Sequence, residues 1–404
     1  MEILEPTPLL GGLSPQDFMR RHWQRKPLLV RQALPGGMVL LSRAQLFELA
    51  EHSEVESRLV VQGWPAQMQQ ECVPAEGRRY RGRPARVDER VPGRARWHLR
   101  HGPLPRRALP PLRQPGWTLL VQGVDLHVDA AHELLARFRF VPDARLDDLM
   151  ISYASDGGGV GPHVDSYDVF LLQLEGRRRW RVGPVVDPAL VAGAPLKILA
   201  NFTAQHEWLL EPCDMLYLPP GWAHDGVAQG PCMTASVGFR AAGRAELGRE
   251  VLQRMIDASE PPERDALYSD PTQRASAEPA RIPPALQAYA AAAVARVLAD
   301  PKALACALGE YLSEPKPKVW FDAAAMAPGV GEVRLDARTR MLYDAHFVFI
   351  NGESFRAAGR DARLMHRLAD ARRLDARESS RLSAEARDLL GQWIAAGWVR
   401  SETA

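Results

Sequence analysis

Gly161-Pro162-His163-Val164-Asp165 is answered, 61 residues after His163, by Tyr217-Leu218-Pro219-Pro220-Gly221-Trp222-Ala223-His224. Alternate residues of a strand point the same way, so His163 and Asp165 share one face. The apolar run Met215–Leu218 reads as a second strand. Pro219 and Pro220 then fix the backbone, and Gly221 permits the reversal that presents His224. Two imidazoles and one carboxylate on one side of a metal make the two-His-one-carboxylate facial triad of non-haem iron(II), which leaves positions open for oxygen and a co-substrate. A short HxD strand closed by a Pro-Pro-Gly-presented histidine is the pattern of a cupin-type β-barrel. The expected ligands are His163, Asp165 and His224.

Iron(II) with three protein ligands needs an electron source to activate oxygen. A 2-oxo acid such as 2-oxoglutarate chelates iron through its keto and C1 carboxylate oxygens, and its distal carboxylate needs a cation. Arg177-Arg178-Arg179-Trp180 lies on a later strand, where alternation sets Arg178 against Arg177 and Arg179. Only one facing can enter the barrel, and Arg178 is the choice for a bidentate pair with that carboxylate. Ser152, on the strand before the glycine loop 156–162, is placed to share the anchor. His206 falls between the two halves of the site and reads as a surface or loop residue.

Around this centre the chain alternates texture. Ser14-Pro15 opens a helix that Pro27 should end, and a second helix starts near Ser42. Trp117–Gln122 reads as a strand and Val128–Phe140 as a helix. Short apolar runs follow at Met150–Tyr153, Val169–Leu174, Arg178–Val182, Glu207–Leu210, Met215–Leu218 and Cys232–Phe239, with a hairpin turn expected at Glu175-Gly176. Past Arg240 the strands stop. Helices are expected over Ala245–Ile256 and Leu286–Leu298, with a linker at Tyr268–Pro279. From Lys302 a helix, strands at Met341–Tyr343 and Phe347–Ile350, a turn at Asn351-Gly352 and further helices resemble a winged helix. The fold class is α+β, in three parts: 1–240, 241–300 and 301–404.

Length supports more than one core, and 46% hydrophobic with 25% charged residues excludes a disordered chain. Lys+Arg 51 against Asp+Glu 49 demands neither a nucleic-acid nor a membrane partner. Arginine is nonetheless dense between Arg78 and Arg113, either a solvated face or a contact with an acidic or RNA-rich partner. The four cysteines are dispersed, without a CxxC, as in a reducing compartment. With no apolar run of membrane-spanning length and no leader pattern, a cytoplasmic protein is expected.

Asp148-Leu149-Met150-Ile151-Ser152, Gly157-Gly158-Gly159-Val160-Gly161-Pro162-His163, Asp165-Ser166-Tyr167-Asp168-Val169-Phe170, Gly176-Arg177-Arg178-Arg179-Trp180-Arg181-Val182-Gly183 and Pro219-Pro220-Gly221-Trp222-Ala223-His224-Asp225-Gly226 together resemble the bacterial JmjC-type ribosomal oxygenases that hydroxylate arginine. The resemblance implies a JmjC double-stranded β-helix, a helical dimerisation region and a C-terminal winged helix. It implies iron(II) at His163, Asp165 and His224, with 2-oxoglutarate held by Arg178 and Ser152. The implied reaction consumes O2, decarboxylates 2-oxoglutarate to succinate and CO2, and hydroxylates C3 of an arginine in a large-subunit ribosomal protein, by a homodimer.

Spacing does not specify that substrate. A cationic side chain should meet acidic groups, for which Asp156, Asp168 and Asp225 flank the motifs, and Tyr153 or Tyr167 could stack on a guanidinium. Histidyl hydroxylation or lysyl demethylation would use the same centre. A nucleic-acid-binding regulator working through the winged helix is the rival from another class. There Arg360, Arg363, Arg367, Arg372 and Arg373 are interleaved with Asp361, Asp370, Asp375 and Glu378, so direct nucleic-acid binding is disfavoured.

Overall fold

The computed structural model of the chain describes residues 2–62, 97–258, 266–276, 278–323 and 331–402. It divides into two compact units, Met1–Ala241 and Ala242–Ala404. Most of the Arg-rich stretch, Arg78–Arg96, lies outside the described residues. Beyond it, Arg100 donates to Ala108 O at 3.3 Å and the Arg106 guanidinium lies 5.3 Å from the centre of the Phe47 ring.

The first unit opens with α1 (Pro15–Arg21), α2 (Arg43–Leu49) and α3 (Asp129–Ala136) as its helices. Its strands are β1 (Leu28–Val30), β2 (Ser57–Gln62), β3 (Trp97–His101), β4 (Trp117–Val121), β5 (Leu146–Ala154), β6 (His163–Val164), β7 (Val169–Pro184), β8 (His206–Leu210), β9 (Met215–Leu218) and β10 (Trp222–Phe239). The sheet runs β1-β9-β7-β10-β5-β4-β2-β3, with β6 added on β10 and β8 on β7. All of its pairings are antiparallel.

The long strands β7 and β10 make the barrel. The first half of β7 pairs with β9 and the second with β8, while β10 pairs with β6 near its start and with β5 near its end. Glu175-Gly176 is therefore not a hairpin turn: β7 runs through it without reversing. Gly176, at φ 63°, sits opposite a bulge in β10 where the register slips between Gln229 and Met233. A Cβ at 176 would lie 2.2 Å from Pro231 O, so the close backbone approach needs glycine here. The bulge lets both strands continue past it, so that each pairs with different neighbours before and after.

Alternation along these strands separates two environments. Phe170, Tyr217 and Phe239 turn outward and join Phe18 of α1 and Trp23, with Phe18 and Tyr217 ring centres 4.9 Å apart. Val169, Leu171, Met150 and Ser152 turn inward to line a cavity. Ser14 caps α1 by accepting from Asp17 N at 3.1 Å, and Ser42 and Gln45 form a capping box on α2. α1 ends well before Pro27, since Gln24 adopts φ 54° and its N–H is taken by the Tyr217 hydroxyl. α3 also stops short of Phe140, because Phe138 leaves the helix to pack 4.8 Å from Phe170.

The second unit holds α4 (Arg244–Asp257), α5 (Pro284–Leu298), α6 (Pro301–Ser313), α7 (Gly359–Ala371), α8 (Ala376–Ser379) and α9 (Ala384–Ala395). Its small sheets are built from β11 (Glu332–Leu335), β12 (Met341–Tyr343), β13 (Phe347–Ile350), β14 (Glu353–Arg356), β15 (Arg373–Leu374) and β16 (Val399–Glu402), in the orders β15-β11-β16 and β12-β13-β14. Asn351-Gly352, both at positive φ, form the β13–β14 turn. Leu364, Leu368, Leu390 and Trp393 of α7 and α9 close on Val333, Val348 and Ile350. α4 buries Val251 and Met255, with Leu247 packed beside them and Leu252 exposed, whereas α5 buries no residue. Among the described residues no helix is long and apolar enough to cross a membrane.

Candidate metal and co-substrate centre

His163 on β6 and His224 on β10 face each other directly across the ladder, which puts their ring centres 4.2 Å apart. Asp165 follows two residues after His163, and its carboxylate oxygens lie 4.0 Å from His163 Nε2 and 3.7 Å from His224 Nε2. One donor atom from each of the three falls within 4.8 Å of the others, a grouping that could hold a metal ion. The turn expected at Pro219-Pro220-Gly221 is present, with Gly221 at φ 79° and its N–H donated to Asp165 O at 3.1 Å.

The imidazoles are already oriented for ligation. His163 Nδ1 lies 2.8 Å from Gly161 O, and His224 Nδ1 lies 3.1 Å from Trp222 O. A carbonyl oxygen only accepts, so each Nδ1 carries the proton and donates it, and each Nε2 keeps its lone pair toward the shared space. Burial, then the neighbouring His163 ring, pushes the His224 imidazole down to about 4. It is a neutral ligand at neutral pH. The donor set therefore fits a divalent transition metal such as iron(II).

The same cavity, with a volume near 450 Å³, reaches inward to Arg178. Arg178 is 4% exposed while Arg177 and Arg179 face solvent, as strand alternation requires. Its guanidinium donates to Ser152 Oγ at 3.1 Å and Thr234 Oγ1 at 3.4 Å, lies 5.2 Å from the Trp180 ring centre, and leaves Nε buried without a partner. No carboxylate pairs with it among the described residues. Burial pulls its pKa down. A buried cation supported only by hydroxyls and an aromatic ring is costly until an anion joins it, so the residues fit a dicarboxylate whose far end lies here. Thr234, cross-strand neighbour of Ser152, belongs to no local motif, and only the register of β10 beside β5 brings it to Arg178.

The acidic and aromatic candidates divide. Asp168 is fully buried and accepts from the Tyr217 hydroxyl at 2.6 Å, Asp225 pairs with Arg181, and Asp156 accepts from Gly230 N at 2.7 Å. None of these three lines the cavity. Asp147 and Asp148 do, beside Tyr167, whereas Tyr153 belongs to the core and packs on Phe47 and Trp117. His206 is exposed on β8 and stacks on Trp208 with ring centres 4.9 Å apart. Cys213, Cys232 and Cys306 are free thiols.

Known proteins resemble the chain in both units. A JmjC domain model matches residues 133–247, and a ROXA-like winged-helix model matches residues 296–400. The ribosomal protein uL16 3-hydroxylase of Escherichia coli is 37% identical over 273 residues, covering 66% of this chain and 63% of that protein. A probable ribosomal oxygenase of Haemophilus influenzae is 32% identical over 232 residues, 56% of this chain and 50% of that protein. The aligned part thus spans less than two thirds of either relative. The X-ray structure of E. coli YcfD superposes with a TM-score of 0.77 at 29% identity, covering 96% of this chain and 98% of that one. YcfD in complex with cobalt and 2-oxoglutarate gives 0.72 at 29% identity, covering 97% and 99%. The JmjC and winged-helix matches agree with the α+β fold read from the sequence: the chain carries a JmjC domain followed by a ROXA-like winged-helix domain, and it is similar to bacterial ribosomal oxygenases.

Proposed function

We propose that this chain is an iron(II)- and 2-oxoglutarate-dependent oxygenase that hydroxylates C3 of an arginine residue in a large-subunit ribosomal protein, releasing succinate and CO2. The observation that carries the reading is the buried, carboxylate-free Arg178 facing the same cavity as His163, Asp165 and His224. When bound, iron(II) supplies the centre at which O2 is reduced as 2-oxoglutarate is decarboxylated, and 2-oxoglutarate supplies the electrons.

The protein's own part is placement. His163 and His224 give neutral nitrogens, and Asp165 offsets part of the metal charge. Arg178, helped by Ser152 and Thr234, holds the distal carboxylate by charge-assisted hydrogen bonds and so fixes which end of the dicarboxylate points at the metal. Val169, Leu171 and Met150 form an apolar wall that keeps water away from the bound acid.

The ribosomal-protein substrate and the 3-position are supported by the uL16 3-hydroxylase relative, and arginine as the residue rests on the resemblance of the site motifs. Residues 1–240, 241–300 and 301–404 are taken as catalytic, dimerisation and winged-helix domains of a cytoplasmic homodimer. The exposed apolar residues of α5, Val294, Val297 and Leu298 among them, support a self-association role for the middle part. The test is mass spectrometry of ribosomal proteins from cells with and without this protein. The expected result is one arginine-containing peptide heavier by one oxygen atom only when the protein is present. Unchanged arginines, or oxygen found on a histidine instead, would overturn the substrate assignment, and a demethylated lysine would point to the other chemistry of this class.

A further inference from the structure

Asp168 is a wholly buried carboxylate that takes no part in the proposed chemistry, three residues after the metal donor Asp165. It accepts from the Tyr217 hydroxyl at 2.6 Å and from Gln24 Nε2 at 3.1 Å, with Arg145 Nη2 at 3.5 Å. Tyr217 in turn accepts from Gln24 N at 2.8 Å. Gln24, Tyr217 and Asp168 therefore close a ring of hydrogen bonds, with Gln24 held at positive φ to reach both partners. Burial, then the bond to Asp168, raises the Tyr217 phenol, which stays protonated as the donor the ring needs.

The ring sits on a particular pair of segments. Residues 165–170 run alongside residues 217–221, with Val169 opposite Leu218 and Phe170 opposite Tyr217. At one end of this pair Tyr217 bonds the Asp168 side chain, and at the other Gly221 N bonds the Asp165 carbonyl. The first segment begins at the donor Asp165, and the second leads within three residues to the donor His224. A cross-tie at both ends fixes the offset between the two segments and hence the spacing of the donors they carry. Groups that orient metal ligands without touching the metal typically change affinity about 10- to 100-fold when removed.

We infer that Gln24, Tyr217 and Asp168 are positioning residues, through which the segment after α1 sets the relative placement of Asp165 and His224. The inference rests on the reading of His163, Asp165 and His224 as metal ligands. It also gives the N-terminal segment a task beyond covering the outer face of the sheet. Among the described residues the ring shares no hydrogen bond with Arg178, so its effect should fall on the metal and reach the co-substrate only through it.

The test is titration of the full-length, metal-free protein with Co(II), followed by visible absorption, for the unsubstituted chain, Tyr217→Phe and Gln24→Ala. Tyr217→Phe keeps the ring that packs on Phe18 and Phe170. Gln24→Ala leaves Tyr217 and Asp168 in contact. The expected result is a Co(II) dissociation constant raised about tenfold in Tyr217→Phe and at least threefold in Gln24→Ala, measured well below the thermal midpoint of each metal-free variant. A purely structural ring would lower those midpoints and leave Co(II) affinity within threefold in both folded variants, and that outcome overturns the inference. If the unsubstituted chain does not bind Co(II), the metal reading itself falls and takes the inference with it.

Discussion

Arg178 carries a charge into a cavity where the described residues offer it two hydroxyls, an indole ring and no carboxylate. Its presence is a cost to the empty fold and a gain only with a bound anion. Arg178→Met, which keeps much of the volume and removes the buried charge, should leave the thermal midpoint of the ligand-free protein equal or higher. The same variant should weaken 2-oxoglutarate binding about a hundredfold, the ~3 kcal/mol of a charge-assisted pair, in equilibrium binding to metal-loaded protein. A lower midpoint with normal affinity would contradict both halves. His163→Ala or Asp165→Ala should abolish metal retention, measured as metal per chain after gel filtration, with the far-ultraviolet spectrum unchanged. These residues were legible because strand alternation is a strictly local rule: it put His163 with Asp165 and singled out Arg178 from its neighbours. The bonds from Asp168 to Tyr217 and Gln24 were not legible, since they join residues 49 and 144 positions apart. Nor did flanking the motif in sequence bring Asp156, Asp168 or Asp225 to the cavity, which Asp147 and Asp148 line instead.

At the level of elements, the bend through β7 and β10 holds the two ends of the site in one barrel. Glu175-Gly176 has the local composition of a hairpin turn, and only the partner strand decides otherwise: the matching bulge at Gly230-Pro231 lets both strands continue past it. Gly176→Ala would force a Cβ against the Pro231 carbonyl and strain a positive φ. It should cost about 2 kcal/mol or more in denaturant unfolding, and a loss below measurement error would show that the bend tolerates a side chain. In the second unit Asp336, 2% exposed, ties β11 to β16, accepting from Arg338 Nε at 2.8 Å and Arg400 Nη2 at 2.6 Å. Burial alone raises its pKa, but hydrogen bonds from the Arg338 side chain and N–H and from Arg400 outweigh it and hold the carboxyl below its usual value. A depressed folded pKa adds stability that is present above the unfolded value of about 3.9 and is lost as pH falls through the folded one. Asp336→Asn should therefore destabilise this unit by about 3 kcal/mol at neutral pH, a deficit that narrows in unfolding measurements below about pH 4.

For the whole molecule, the sequence showed an α+β chain whose strands give way to helices past Arg240, and the structure finds compact units meeting at Ala241 and Ala242. What periodicity could not supply was the partner of α5, a helix of good propensity that buries none of its own side chains. If the proposed homodimer forms there, sedimentation should give twice the chain mass. Val294→Asp together with Val297→Asp should give a monomer in which both units remain folded, and an unaltered dimer would place the interface elsewhere. One cavity is expected to hold a metal and a dicarboxylate together, with His163, Asp165 and His224 lining it for the one and Arg178 for the other. The most direct measurement is calorimetric titration of 2-oxoglutarate into the Mn(II)-loaded protein, the metal-free protein and Mn(II)-loaded Arg178→Met. Tight binding is expected only in the first. Equal binding to all three, or none to the Mn(II)-loaded protein, would contradict it.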